Sequence, residues 1–296
     1  MIKERTSISD LFFDYLINGY VIFLLLIIIY PLYFIVIASF SNPDLVNIGK
    51  VILLPKEITF SGYEMIFKDN RIWQGYLNSL LYSGGFCILA VTMTILAGYA
   101  LSRKELYGRN VIMLVFIATM YFNGGLIPTY LVVRQLHLVN NPMVIIIMGS
   151  LSVYYTIITR MFFEGIVSEE LRDAALVDGC NEAQFFTKIV LPLSKAIIAV
   201  MALYYVVMQW NSYFNALIYL NDSKYYPLQL VLRNILINSQ RLQEQIIDLH
   251  SIGQEEKIAD LIKYGVIIVS SLPVLILYPF VQKFFVQGIM IGSIKG

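Results

Sequence analysis

The sequence predicts an all-α polytopic membrane protein with six transmembrane helices and a short amphipathic hairpin between spans four and five. The chain of 296 residues is 58% hydrophobic and 14% charged, whereas about a quarter of the residues in an ordinary soluble domain are charged. A spanning helix needs about 20 mostly apolar residues, and we therefore expect one membrane domain over 1–296. Six stretches carry no Asp, Glu, Lys or Arg for 19 residues or more: 15–43, 72–102, 110–133, 135–159, 196–221 and 264–282.

The first apolar run predicts a retained span that follows a short cytoplasmic lead over 1–14. The run is too long for the core of a signal peptide, and Pro31 predicts a kink within it. Turn-forming residues then fill 41–71, which we expect to be an external loop.

Glycine and proline mark two features inside spans two and three. Gly98 and the pair 84–85 (Gly-Gly) are small enough to allow close contact between helices. In span three, the run 123–125 (Asn-Gly-Gly) and Pro128 predict a break or a bend. Asn123 itself fits either a gate in a pathway or a notch for helix packing.

The chain between spans four and five, residues 168–192, predicts a pair of short helices. Ser168 can cap the first helix, and Glu169 and Glu170 then stand in its first turn, where the helix dipole favours negative charge. Gly179 tolerates the positive φ that the residue after a helix commonly adopts.

The second helix of the hairpin and the apolar side of the first are also visible in the sequence. Asn181 and Gln184 have the spacing of a capping box, and Pro192 predicts the first turn of the next span. Helical spacing predicts one apolar face on the first helix, formed by Leu171, Ala174, Ala175 and Leu176 or Val177.

The hairpin carries a recognisable motif. Residues 172–180 read RDAALVDGC, and 184–193 read Q-x-F-x-x-I-x-L-P-L. This pattern resembles the EAA signature of ABC-importer permeases, E-A-A-x-x-D-G-A followed by Q-x-F-x-x-I-x-L-P-L. Asp173 stands where the family has Glu, which keeps the charge but shortens its reach, and Cys180 stands where it has Ala. The resemblance implies a cytoplasmic coupling-helix hairpin that docks in the cleft of a partner ATPase.

The alternative is an amphipathic helix that lies on lipid headgroups, but anionic lipid repels the acidic residues of this segment. The resemblance implies no catalytic residue, no metal site and no cofactor bound by this chain, because ATP and Mg bind to the partner ATPase subunits. The sequence contains no G-x-x-x-x-G-K phosphate loop. The residues implied in ATPase coupling are Glu170, Arg172, Asp173, Ala174, Ala175, Asp178 and Gly179.

Three further segments resemble the maltose-type carbohydrate branch of these permeases. Residues 209–215 (QWNSYFN) resemble its W-N-x-F pattern, 226–228 (YPL) its last external segment, and 285–296 its glycine-containing tail. The resemblance implies that the tail approaches the ATPase pair and that the external segment 221–263 approaches a solute-binding protein.

Span five carries amide and aromatic side chains, which suit sugars because they offer partners for hydroxyl groups and an apolar platform. Uncharged polar groups within a span face protein or a water-filled cavity, so we expect them to line a substrate pathway. Hydrogen bonding between helices and an aromatic belt at the membrane interface are the alternatives. The candidates are Gln209, Trp210, Asn211, Tyr213 and Asn215, together with Asn123.

Positive charge predicts the orientation. Arg103, Lys104 and Arg109 crowd the connection between spans two and three, whereas the next connection has only Arg134. The cytoplasmic side carries the excess of Lys and Arg, so both termini and the hairpin are expected there.

The resemblance implies a permease subunit of an ATP-driven, binding-protein-dependent importer of oligosaccharides or related sugars in the bacterial plasma membrane. The expected partners are a second homologous permease subunit (as a heterodimer), two ATPase subunits, an extracytoplasmic solute-binding protein, the oligosaccharide and membrane lipid, but no nucleic acid. The alternatives are an ion-coupled secondary transporter, which the charge-free spans disfavour, and a scaffolding protein, which would not explain the polar span five.

Overall fold

The computed structural model describes residues 8–244 and 262–279, and all regular secondary structure in these ranges is helical, as predicted. A π-helical turn spans Phe185–Val190, and a 3₁₀ turn spans Ser223–Tyr225. The helices are α1 (Ile8–Ser39), α2 (Pro43–Asn47), α3 (Ser61–Lys68), α4 (Asn70–Ser102), α5 (Arg109–Tyr121), α6 (Leu126–Gln135), α7 (Met143–Ile147), α8 (Val153–Ile166), α9 (Glu169–Val177), α10 (Glu182–Gln184), α11 (Leu191–Leu193), α12 (Lys195–Trp210), α13 (Phe214–Tyr219), α14 (Leu228–Glu244) and α15 (Ile262–Pro279).

Three helices are long and apolar enough to cross a membrane, namely Phe12–Ser39 within α1, all of α4 and α15. Two bent pairs pass the same test when each pair is joined: α5 with α6 at 114°, and Glu182–Leu193 with α12 at 74°. The break expected in span three is confirmed, because α5 ends at Tyr121 and α6 begins at Leu126. The helix α1 continues through Pro31.

The structure does not confirm spans four and five as single continuous helices. The run 135–159 is divided among the end of α6, α7 and the first half of α8, while Asn140 and Gly149 adopt positive φ between these helices. The run 196–221 is interrupted after Trp210. A charge-free run measures only apolar composition, whereas turn-forming residues inside it end helices without adding charge. The described helices therefore do not establish a count of six spans.

The described residues divide into two compact units, one from 8–69, 234–244 and 262–271, the other from 70–233 and 272–279. In the first unit the end of α1 packs against the loop that follows it. Ile37 and Val51 are buried together there, and the Tyr63 hydroxyl donates to Ser39 Oγ at 3.0 Å.

In the second unit, α4 is the central helix and packs against α8 and α12. A Cβ atom added to Gly98 would lie 2.8 Å from Thr159 Cγ2, and one added to Gly85 would lie 3.1 Å from Ile146 Cδ1. The predicted close helix contact is thus confirmed for Gly98 and Gly85. It was wrong for Gly84, where a Cβ would meet nothing within 4 Å.

A polar contact joins the three helices inside this apolar core. The Tyr205 hydroxyl of α12, which is fully buried, lies 2.6 Å from Thr94 Oγ1 of α4. The backbone N–H of Ser152, which precedes α8, donates to the same hydroxyl at 3.4 Å. Because buried polar groups need partners, this contact fixes how α12 faces α4 and α8.

The other end of α4 holds the chain that leads into α14. Asn78 Nδ2 donates to the carbonyl oxygens of Lys224 at 2.8 Å and Tyr226 at 3.0 Å, and Ser79 Oγ accepts from the Leu228 N–H at 2.8 Å. The predicted external segment begins here, while its residues 245–261 lie outside the described residues, as does the tail motif.

A substitution at Gly98 tests the close contact of α4 with α8. We expect Gly98→Val to lower the free energy of unfolding in mild detergent by about 1–3 kcal/mol, because the added methyl groups overpack against Thr159. Gly84→Val is the matched control, since it places the same side chain on the same helix facing open space. Equal losses of stability in a denaturant titration of the two variants would contradict the packing assignment.

Candidate functional site

The first helix of the hairpin, α9, begins as predicted. Ser168 Oγ accepts from the Leu171 N–H at 3.3 Å, and Glu169 and Glu170 occupy the first turn. The pKa of Glu170 is lowered, first by its own backbone N–H and then by the Ser168 hydroxyl. The N-terminus of α9 is thus stabilised by residues local in sequence.

The end of α9 is a Schellman motif around Gly179. This residue has a φ of +79°, and its N–H donates to the Leu176 carbonyl at 3.0 Å, while the Cys180 N–H donates to the Ala175 carbonyl at 2.9 Å. These two bonds are the pair that defines the motif. The prediction that Gly179 ends the helix is confirmed.

The second helical segment starts with the predicted capping box. The Gln184 N–H donates to Asn181 Oδ1 at 2.8 Å, and the Asn181 N–H donates to Gln184 Oε1 at 3.1 Å. The next span does not begin at Pro192, which lies in α11; the chain bends at Ser194, and α12 starts at Lys195. The Ser194 N–H still bonds the carbonyl of Val190, so the bend keeps its backbone paired.

One side of the hairpin is buried in the core of the second unit. Ala175, Phe185 and Val190 are 5%, 1% and 0% exposed and pack with Phe86 of α4 and Phe163 of α8. The hairpin is therefore part of the same apolar core as the long helices and not a loosely attached loop.

The opposite side of α9 faces outward, and here the predicted apolar face was partly wrong. Ala174 and Val177 are exposed, Val177 by 88%, because only the Leu171 and Ala175 side of the turn meets the core. Asp173 and Asp178 are exposed on the same outward side. The hairpin thus presents a small apolar surface, which we call the outward face, flanked by two carboxylates.

An ion-pair network that the sequence did not reveal fastens the hairpin to the α4–α5 loop. Arg172 donates to Glu182 within the hairpin and to Glu105 Oε1 of the loop at 2.7 Å. Glu105 also accepts from Arg103 at 3.0 Å, and Lys104 Nζ lies 2.8 Å from a Glu169 oxygen. Arg172, which the resemblance implies in ATPase coupling, holds the hairpin together and to the loop within this chain.

The charges in this network shift each other's pKa values. The pKa of Glu105 is lowered, first by its own backbone N–H and then by Arg103 and Arg172, and the pKa of Arg172 is raised by its hydrogen bond with Glu182. In the sequence, the cations of this loop predict only the orientation of the chain in the membrane. The close spacing of these cations was the one sequence signal for the ion-pair network. It did not identify Glu105 as the residue that joins the loop to the hairpin.

Neutralising Glu105 tests the attachment. We expect Glu105→Gln to speed hydrogen exchange in α9 roughly twofold to fivefold, because Arg172 loses its carboxylate partner in the loop. An exposed ion pair contributes up to about 1 kcal/mol, which corresponds to about a fivefold change in the exchange rate. The control is Glu164→Gln, whose partner Arg160 lies on the same helix at 2.9 Å. An equal effect of both variants, measured by mass spectrometry in detergent, would contradict the attachment.

Acidification tests the same network. The pKa of Glu105 is lower in the folded than in the unfolded chain. The stability that its ionised form contributes is therefore present above the unfolded pKa and is lost as the pH falls through the folded pKa. After correction for intrinsic exchange rates, protection of α9 should hold from about pH 7 to pH 5 and fall below about pH 4. The fall should be smaller in Glu105→Gln; an identical fall would show that other carboxylates control it.

The five pathway candidates of span five surround the break between α12 and α13. Gln209 and Trp210 are buried at the end of α12, Asn211 and Tyr213 are exposed in the break, and Asn215 is half-buried on α13. Asn211 Nδ2 donates to the Val207 carbonyl at 2.8 Å. These five residues are close in sequence, and they lie together where α12 ends and α13 begins.

Asn123 lies in the break between α5 and α6. It is exposed, and its Oδ1 accepts from the Gly125 N–H at 2.9 Å. Among the described residues, no hydrogen bond or ring contact joins it to the group at 209–215. Its observed contact caps the break, which agrees with a local structural role.

The comparison with known proteins identifies the family. The model of the binding-protein-dependent transport system inner membrane component family matches residues 90–291. The chain belongs to this family. The hairpin lies within the matched region.

Individual relatives agree with this assignment over nearly the whole chain. The polygalacturonan/rhamnogalacturonan transport system permease protein YtcP of Bacillus subtilis (strain 168) is 38% identical over 96% of this chain and 98% of its own. The arabinooligosaccharides transport system permease protein AraQ of Halalkalibacterium halodurans is 26% identical over 93% and 94%. A chain of a bacterial ABC transporter involved in the import of the acidic polysaccharide alginate has a TM-score of 0.82 at 30% identity, covering 94% of this chain and 98% of that chain.

The family resemblance inferred from the hairpin motif is thus confirmed. The chain is the inner-membrane permease component of an ABC importer, and a system of this kind includes a binding protein and an ATPase. The fold of the permease subunit is shared with the alginate transporter chain.

Proposed function

We propose that this chain is one of two permease subunits through which an ATP-driven importer moves oligosaccharides or related sugars. The observation that carries the proposal is the hairpin, whose buried side belongs to the core of the permease while its outward face is free to receive a partner. The named substrates of YtcP, AraQ and the alginate transporter support a saccharide.

The outward face suits an ATPase cleft better than lipid headgroups. Ala174 permits close approach of a cleft wall, Val177 offers an apolar contact, and Asp173 and Asp178 attract cationic side chains. Two carboxylates would be repelled by the anionic lipid of a cytoplasmic leaflet. Asp173 has no hydrogen-bond or ion-pair partner within the described residues, so its charge remains free for a partner.

Movement of an ATPase subunit would reach the permease through two attachments. The buried residues of the hairpin carry it to α4 and α8, and Arg172 with Glu105 carries it to the α4–α5 loop. The hairpin also continues through the bend at Ser194 into α12. Gly179 and the exposed Glu170 contribute by setting the end and the start of α9, which fixes the orientation of the outward face.

The complete assembly in this proposal follows the sequence-based expectation. This chain pairs with a second homologous permease subunit and crosses the bacterial plasma membrane six times, with both termini in the cytoplasm. Two ATPase subunits bind ATP and Mg and dock on the hairpins, whereas this chain binds no cofactor. A solute-binding protein docks outside near 221–263 and releases sugar to a cavity that the residues at 209–215 line.

The ion-coupled secondary transporter is the second candidate, but the family assignment disfavours it. A transporter of that kind would import its solute without ATP. Co-purification with an ATPase whose hydrolysis is stimulated by a sugar-loaded binding protein separates the two candidates. Uptake driven by an ion gradient with no associated ATPase would favour the second.

Substitutions on the outward face test the docking. In a reconstituted complex we expect Asp173→Lys and Val177→Lys each to reduce sugar-stimulated ATP hydrolysis and uptake at least tenfold, because each places an ammonium group where the partner cleft holds cations or apolar contacts. Lys188→Glu is the control, since it changes an exposed charge of the same hairpin outside α9.

A bulky residue at Gly179 should act by a different route. Gly179→Val strains a backbone with φ near +79°, so it misdirects α9 and impairs assembly. Wild-type uptake and hydrolysis in Asp173→Lys, Val177→Lys and Gly179→Val alike would overturn the docking proposal.

A further inference from the structure

Three helices converge beside the break between α12 and α13. Tyr76 of α4 makes an edge-to-face contact with Trp210 of α12, with ring centroids 5.4 Å apart. Three residues further along the chain, the ring of Tyr213 lies beneath Arg233 of α14, whose Cζ is 5.6 Å from the ring centroid. Aromatic rings and a cation are thus placed next to the amide groups of the candidate pathway.

Arg233 has an unusual environment for an arginine. It is half-buried, and its described contact is the face of Tyr213, which attracts a cation but accepts no hydrogen bond in the ordinary sense. Arg103, Arg160 and Arg172 each donate to a carboxylate, whereas no described residue places a carboxylate against Arg233. A guanidinium group has five N–H donors, and the described residues leave this planar donor set without a carboxylate.

Gln209 is a second polar group without a partner in this region. The residue is only 9% exposed, yet its side chain makes no hydrogen bond with any described residue. Its amide atoms are not among the fully enclosed polar atoms that lack a partner, so water or a ligand can reach them and complete their hydrogen bonds. Hydroxyl groups of a sugar supply both the donors and the acceptors that an amide needs.

We propose that Arg233 and Tyr213 form a recognition site for the carboxylate of an acidic oligosaccharide. The carboxylate accepts two parallel hydrogen bonds from the guanidinium group, a geometry that arginine favours. Tyr213 holds the guanidinium in place from below and offers its 40% exposed ring as a platform, while Gln209 bonds hydroxyl groups. The inference rests on the proposed import of oligosaccharides and specifies their class as uronate-containing.

The test compares two substrates of the same shape that differ in charge. Proteoliposomes containing the full complex would be supplied with trigalacturonate or with its methyl ester, in which every carboxylate is neutral. We expect Arg233→Gln to reduce kcat/KM for uptake of the acid roughly tenfold or more, because a charged hydrogen bond is lost. Uptake of the methyl ester should stay within about twofold. Arg233→Lys should retain part of the preference for the acid, because it keeps the charge but loses the paired donors.

The control variant is Lys224→Gln. Lys224 also lies over a tyrosine ring, with its Nζ 4.7 Å from the centroid of Tyr225, but it is paired with Asp222 at 3.0 Å. The substitution Lys224→Gln should leave the preference of the complex for the acid over the ester unchanged. Equal losses for acid and ester in Arg233→Gln would overturn the proposal and assign Arg233 to packing or to a lipid phosphate.

The same experiment separates the inference from the proposed function. If the wild-type complex imports neutral oligosaccharides but neither trigalacturonate nor alginate oligomers, the carboxylate site is wrong and the importer stands. If it imports no oligosaccharide with any binding protein, the proposed function itself fails.

Discussion

The arrangement of this permease depends on burying one side of a short hairpin in the core of its long helices. A buried phenylalanine or valine stabilises a fold by roughly 1.5–3 kcal/mol, whereas an exposed ion pair contributes about 0–1 kcal/mol. Phe185 and Val190 therefore hold the hairpin in place, and the contact between Arg172 and Glu105 sets its angle. Neither attachment uses Asp173, Ala174, Val177 or Asp178, so the outward face of α9 stays exposed.

The second constraint is the need to pair backbone groups wherever a helix breaks in an apolar region. At the breaks described below, an asparagine or serine side chain forms a hydrogen bond with a backbone group. Asn123 accepts from Gly125, Asn211 donates to the Val207 carbonyl, and Ser194 Oγ donates to the Val190 carbonyl. Asn140 accepts from the backbone of two residues 81 and 82 positions away. Asparagine and serine in these spans therefore have a structural use that is independent of any substrate.

This explains which parts of the site could be predicted from the sequence. The caps at Ser168, Gly179 and Asn181 involve residues within four positions, so local patterns were sufficient. The helix breaks after Trp210 and before α8 were missed because neutral asparagine and glycine leave an apolar run intact. The link from Arg172 to Glu105 crosses 67 positions, and no periodicity encodes it. The exposure of Val177 likewise depends on which side of α9 meets α8, a tertiary choice that amphipathic spacing cannot make.

The helix α12 joins the two candidate sites. It begins at the bend that follows the hairpin and ends at Gln209 and Trp210, so its 16 residues span about 24 Å. A straight helix transmits a tilt at one end to the other, whereas a loop would absorb it. The buried hydroxyl of Tyr205, bonded to Thr94 and close to Ser152, prevents α12 from turning without α4 and α8. A displacement at the hairpin would therefore either move these three helices together or break a buried hydrogen bond, which costs about 1–3 kcal/mol. For the coupling that we propose, we therefore expect these three helices to move as a rigid body.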